Sequence, residues 1–140
     1  MRYLIAVLAL AGVVVSALAL HVHYSTGPEI CSINERWDCG IVNHSPFAEI
    51  EHVPVAVMGI AGYLMMAGLA FWRQRYLLLL VAIAGMGFAL RLTFIEELVL
   101  QVYCVYCVIS QGLIALITLL GLGWFTWEYL GLKRAGNRLP

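Results

Sequence analysis

Four cysteines carry most of the chemistry available to this sequence. Cys31 and Cys39 have seven residues between them, and Cys104 and Cys107 have two. The second pair lies in the run Tyr103-Cys104-Val105-Tyr106-Cys107-Val108-Ile109, at the mouth of a long apolar stretch. Residues i and i+3 share a helix face, so these two sulfurs can bridge, and either can meet a third. A helix starting beneath Cys104 aims free N–H groups and its positive dipole end at that sulfur, which favours thiolate. Cys107 falls about one turn deeper. Such a pair at a bilayer edge is badly placed for a structural bridge and well placed to pass electrons between an aqueous thiol and a lipid-soluble acceptor. The loop pair has two readings. Cys31 and Cys39 form a bridge that merely closes a small loop, or a mobile couple that meets a soluble protein and then exchanges, through Cys39, with Cys104. Zinc sites of four cysteines usually use two tight knuckles. A seven-residue gap and a hydrophobic helix do not provide these, and the scattered His21, His23, His44 and His52 add no ligand spacing, so no metal is expected.

The elements that must hold these sulfurs are apolar. Of 140 residues, 63% are hydrophobic and 11% charged, and mean hydropathy is +0.91. A single soluble domain of this length cannot bury so much apolar surface, so lipid must cover it. Net charge is zero, and without a basic stripe a nucleic-acid partner is excluded. Four stretches approach the roughly 20 residues that cross a bilayer core: 3–22, 54–72, 76–97 and 102–127, with an outer loop at 23–52. Backbone in lipid must satisfy its own hydrogen bonds, so helices are the default. The expectation is therefore one all-α domain over 1–140, an integral membrane four-helix bundle. In the outer loop, Ser45-Pro46 reads as an N-cap followed by proline at the first helical position. It would open a short amphipathic turn using Phe47, Ala48 and Ile50, with Glu49 and Glu51 outward.

Charge fixes the orientation. Arg2, Arg73, Arg75, Lys133, Arg134 and Arg138 fall on one side of a four-span layout, with only Arg36 in a loop on the other and Arg91 inside a span. The positive-inside rule then puts both termini in the cytoplasm and all four cysteines outside, in a compartment where disulfides persist. Glu29, Glu35, Asp38, Glu49, Glu51, Glu96 and Glu97 lie outside and Glu128 inside. Ala17-Leu18-Ala19 could be read as a signal cleavage site, but the apolar run is long for a signal core and its basic flank is a single arginine. The tail from Lys133 to Pro140 is expected to fray.

The cysteine spacing, Asp38-Cys39-Gly40-Ile41-Val42-Asn43-His44-Ser45-Pro46-Phe47-Ala48, Pro54-Val55-Ala56 with Gly59, Gly62 and Tyr63, Leu92-Thr93-Phe94-Ile95-Glu96 and the CxxC run through Ser110 together resemble the vitamin K epoxide reductase family, in its bacterial branch. The likeness covers most of the chain from Cys31 to about Gln111. It implies a four-helix bundle around a quinone, ubiquinone or menaquinone, in the bacterial inner membrane, capped by the outer loop. It implies oxidation of a thioredoxin-like periplasmic partner of the DsbA type and reduction of the quinone. By position, Cys31 and Cys39 would be the shuttle pair and Cys104 and Cys107 the active-site pair. Cys39 would exchange with Cys104, and Cys107 would meet the quinone. One departure is His52, where the family often has glycine two places before the proline opening the second span. Because the chain ends at Pro140 without a fused thioredoxin-like domain, the partner is expected to be a separate protein.

Around the quinone, Tyr63 and Tyr106 are candidates to donate to its carbonyls, and Arg91 is a candidate to polarise an oxygen. Ser110 and Gln111, about a turn below Cys107, are pocket candidates. Asn43 would bond a developing quinol oxygen from the loop, and Met58 is included with the pocket. Each has a plainer alternative. Arg91 can snorkel to headgroups, Glu96 can pair with Arg91 or anchor the helix end, Asn43 can turn the chain, and Met58, Met65, Met66 and Met86 can simply pack. Trp124 and Trp127 read as an inner interfacial belt, as Tyr103 does on the outer side. Two competing functions stand beside the relay: a membrane scaffold with two structural disulfides, and a reductase acting on a quinone epoxide.

Overall fold

The computed structural model describes residues 1–28 and 30–138. Glu29, counted above with the outer acids, and Leu139 and Pro140 of the tail lie outside the described residues. The chain forms α1 (Arg2–Tyr24), a loop with α2 (Cys39–Asn43), a 3-10 turn (Pro46–Ala48), and a two-stranded hairpin of β1 (Glu49–Ile50) and β2 (Val53–Pro54). It continues with α3 (Val55–Phe71), α4 (Arg75–Ile95), a π-helical turn (Glu96–Leu100) and α5 (Val105–Gly136).

Three helical stretches are long and apolar enough to cross a membrane: Arg2–Tyr24, Arg75–Leu100 and Val105–Gly136. At 17 residues α3 is shorter than the other three. Large apolar side chains such as Leu4, Val7, Leu10 and Val14 of α1 and Leu116 and Leu119 of α5 stand exposed. Lipid rather than water must meet them, since contiguous apolar surface of this extent is not tolerated in water. The buried seam is narrow, with Ile5 and Ala9 of α1, Met66 and Ala70 of α3, Leu78 and Ala82 of α4, and Ile114 and Ile117 of α5. Small side chains bring α1 and α3 together, as membrane helices require when no hydrophobic force pulls them. A β-carbon on Gly12 would collide with the Tyr63 ring, and one on Gly59 would press the Ser16 hydroxyl.

Several boundaries differ from expectation. The third helix runs on through a π turn to Leu100, and the fourth begins at Val105, not 102, and stays helical to Gly136 rather than fraying from Lys133. Ser45 does stand at the N-cap of a short turn with proline at its first position, but its hydroxyl makes no capping bond. That hydroxyl instead donates backward to the Val42 carbonyl at 2.7 Å. Only the three residues Pro46–Ala48 turn, and Ile50 belongs to β1. The α-helical segment of the loop is α2, capped by Asp38, whose Oδ1 accepts from the backbone of Gly40 at 2.8 Å and Ile41 at 3.2 Å. Trp124 is not a belt residue. It is buried in the core and its indole donates to Glu128 at 3.2 Å, which also pairs with Arg75. Trp127 does stand exposed.

The hairpin turn puts His52 in an uncommon backbone conformation. Glu51 and His52 both take positive φ, 49° and 67°, as a two-residue hairpin turn demands. A side chain in the left-handed region costs about 1–2 kcal/mol, and glycine's added unfolded-state entropy offsets about half of that. His52→Gly is therefore expected to stabilise the protein by up to about 1 kcal/mol, read as a higher midpoint of thermal unfolding in detergent.

Candidate functional site

The loop is stitched to the entrance of α5 by its backbone. Asn34 Oδ1 accepts from the amides of Arg36 and Trp37 at 2.9 and 3.1 Å, closing a tight turn. The next residues pair in parallel with the chain ahead of α5. The Tyr103 amide donates to the Arg36 carbonyl at 2.7 Å, and the Asp38 amide donates to the Tyr103 carbonyl at 3.1 Å. The Trp37 and Tyr103 rings lie 5.4 Å apart, so Tyr103 packs against the loop. The bridge pairs Trp37 with Tyr103, so Cys104 directly follows one partner and Cys39 lies two residues past the other, which brings the two cysteines into one neighbourhood. Both are 0% exposed and share one buried cluster with Val22, Cys31, Val42 and Val102, against which Cys107 packs.

Two histidines pin the same loop to α1. His23 Nδ1 meets the Asn43 carbonyl and its Nε2 meets Glu49 at 2.9 Å. His44 meets the Gly40 and Ser25 carbonyls at 2.7 and 2.9 Å, and the two rings stack 6.3 Å apart.

Cys31 and Cys39 are disulfide-bonded, while Cys104 and Cys107 are free thiols. Cys104 is the N-cap residue of α5, ahead of the span. A hydrogen bond from the Cys107 thiol holds the Cys104 thiol below its ordinary range, against the opposing effects of burial and of the Glu96 charge. The thiolate is the form that enters exchange, and this shift favours it. Asn43 Nδ2 donates both to the Cys39 carbonyl at 2.9 Å and to Cys104 Sγ at 3.5 Å, so it bridges the two cysteines. Removing a buried donor of this kind costs roughly 1–3 kcal/mol. Asn43→Ala is therefore expected to slow formation of a Cys39–Cys104 bridge by about tenfold or more, measured by quenching and mass analysis.

Beneath the loop is a cavity of about 430 Å³, within the roughly 300–1,000 Å³ typical of small-molecule pockets. Its lining is mainly apolar. Phe47 and Ala48 contribute from the loop, Gly59 and Met66 from α3, and Phe88 and Leu92 from α4. Cys107 opens onto it, whereas Cys104 is not part of the lining. Among the candidates read from sequence, Asn43, Met58, Tyr63, Tyr106 and Ser110 all line this cavity. The Tyr63 hydroxyl is engaged with Ser110, donating to its carbonyl at 2.8 Å and lying 2.8 Å from its hydroxyl.

Two candidates fall elsewhere. Arg91 is exposed on the outside of α4, off the cavity, where snorkelling is the remaining role. Gln111 is turned toward α4, where its side-chain oxygen accepts from Thr93. Helices apolar on every side give no sequence signal for which face turns inward, and that is why both were misplaced. Of the two readings for Glu96, no pairing with Arg91 is found among the described ion pairs, whereas it does anchor a helix end, accepting from the Cys104 amide at 3.5 Å; it is 4% exposed and lines the cavity with Cys107. Its only sequence signal was its place eight residues before Cys104.

A ring-shaped, largely apolar acceptor suits these walls, with Asn43, Tyr106, Ser110 and Glu96 as the polar groups available to its oxygens and Cys107 as the sulfur within the same space. The vitamin K epoxide reductase family model matches residues 3–125, a stretch containing all four cysteines and the cavity. No curated protein matches the chain.

Proposed function

Because the chain belongs to the vitamin K epoxide reductase family, a family of oxidoreductases, we propose that it is the membrane enzyme that takes electrons from a thioredoxin-like protein and gives them to a quinone, driving disulfide formation. The observation that supports this reading is that Cys39 and Cys104 share one buried cluster and are bridged by Asn43, while Cys107 faces an apolar cavity.

The electrons move as follows. A dithiol on the partner reduces Cys31–Cys39 and becomes a disulfide. The Cys39 thiolate attacks Cys104 of a Cys104–Cys107 bridge, releasing Cys107 as thiolate. Cys31 then resolves the Cys39–Cys104 bridge, leaving Cys31–Cys39 oxidised and Cys104 and Cys107 as thiols. That product is the redox state described above. Two electrons and two protons then pass to the quinone as Cys104–Cys107 closes again. The quinone supplies the two-electron sink. The residues supply a dry, shaped site and keep stray thiols out.

In this reading α3 is the fourth span, short but wholly apolar, and tilting or local thinning accommodates its length. The basic residues at Arg2, Arg73, Arg75 and the end of α5 then lie in the cytoplasm, and the cysteine cap faces the periplasm across the inner membrane. The exposed Ile30 and Ile33 beside Cys31 offer the partner an apolar landing. The test is purified protein with a reduced thioredoxin-like substrate and either ubiquinone or menaquinone, followed for quinol. A scaffold, which the intact Cys31–Cys39 bridge would equally suit, shows no quinone-dependent change in thiol count.

A further inference from the structure

We propose that Glu96 is the proton carrier between the Cys107 thiol and the acceptor in the cavity, an inference that rests on the quinone-reducing role above. Three observations converge on this side chain. The π turn Glu96–Leu100 replaces the regular end of α4, and such turns in helices frequently mark functional positions. Gln101, at φ 54°, then reverses the chain so that the start of α5 returns over Glu96. Its Oε2 accepts from the Cys104 amide at 3.5 Å, and its carboxyl lies beside the Cys107 thiol in the wall of the same cavity. Among the described residues the ion pairs are His23–Glu49 and Arg75–Glu128, so no described cation is paired with Glu96.

A purely structural carboxyl at this place needs only to accept from the Cys104 amide, and a glutamine does that as well. A group touching the reacting sulfur on one side and the acceptor space on the other can do more. When the Cys104–Cys107 bond closes, two electrons leave the sulfurs and two protons leave with them. Glu96 takes the proton of the Cys107 thiol and passes it to a ring oxygen of the quinone, returning to its starting state. The second proton is that of the Cys104 thiol, or comes from the outer aqueous phase when that sulfur is already thiolate. The quinone gains two electrons and two protons, so the step balances.

The test separates the two half-reactions in the full chain. First, dithiothreitol reduces the Cys104–Cys107 pair of wild type, Glu96→Gln and Glu96→Asp. Second, each reduced protein meets a short-chain benzoquinone in a single turnover. E96Q is expected to form quinol about a hundredfold more slowly, the low end of the general acid–base range, while its reduction by dithiothreitol slows far less. E96D recovers part of that loss, and wild type shows a solvent deuterium isotope effect on quinol formation. Wild-type quinol formation in E96Q overturns the proposal. So does an equal loss in both half-reactions, which marks a structural role, and so does an absent isotope effect in wild type. If E96Q does not fold, the isotope effect and E96D decide. Failure of wild type itself to form quinol instead sinks the quinone-reducing role.

Discussion

Cys107→Ala is expected to bring quinol formation down to background while a Cys39–Cys104 bridge accumulates. Cys107 is the sulfur that opens onto the cavity, whereas Cys104 sits fully buried behind it against the loop. Without Cys107, Cys104 has no partner within its own CxxC to reclaim it, and the other cysteines of its cluster, Cys31 and Cys39, are both on the loop. Mild oxidation then traps the inter-segment bridge, which non-reducing peptide mapping identifies. The trap should form without large movement, because the Asp38–Tyr103 pairing already holds the two backbones together. Normal turnover in this variant would remove Cys107 from the mechanism.

The second large effect separates shuttle from staple. A disulfide closing the short loop from Cys31 to Cys39 stabilises by roughly 2.5 kcal/mol on loop-entropy grounds, so Cys31→Ser and Cys39→Ser should lose similar stability. Their chemistry should differ. Cys39→Ser removes the sulfur that lies beside Cys104, and quinol formation driven by a thioredoxin-like donor is expected to stop. A small dithiol that reaches Cys104–Cys107 directly should still support it. Cys31→Ser keeps Cys39 and removes only its resolving partner, so the Cys39–Cys104 bridge should build up. If both variants lose only stability and keep donor-driven quinol formation, the bridge is a staple and no relay runs through it.

The residues that sequence made readable were those whose type alone constrains them. Four cysteines and long apolar runs each follow from chemistry that no packing detail can change. What stayed hidden depended on direction. The pairing of Trp37 with Tyr103 is a two-residue ladder between segments 66 positions apart, and it has no periodicity to betray it. The π turn and left-handed Gln101 turn Glu96 toward the sulfurs, a direction that counting acids on the outer side does not reveal. Arg91 and Gln111 erred for the reason given above, since their helices have no polar face against which to take a bearing.

The stretch that delivers Cys39 also roofs the chamber. Val42, Asn43, Ser45, Phe47 and Ala48 contribute to its walls, and His23 and His44 clamp that stretch to α1. In the proposed function, the donor side and the acceptor side therefore meet on one strip of chain, and an occupant of the chamber rests against the same strip that carries Cys39.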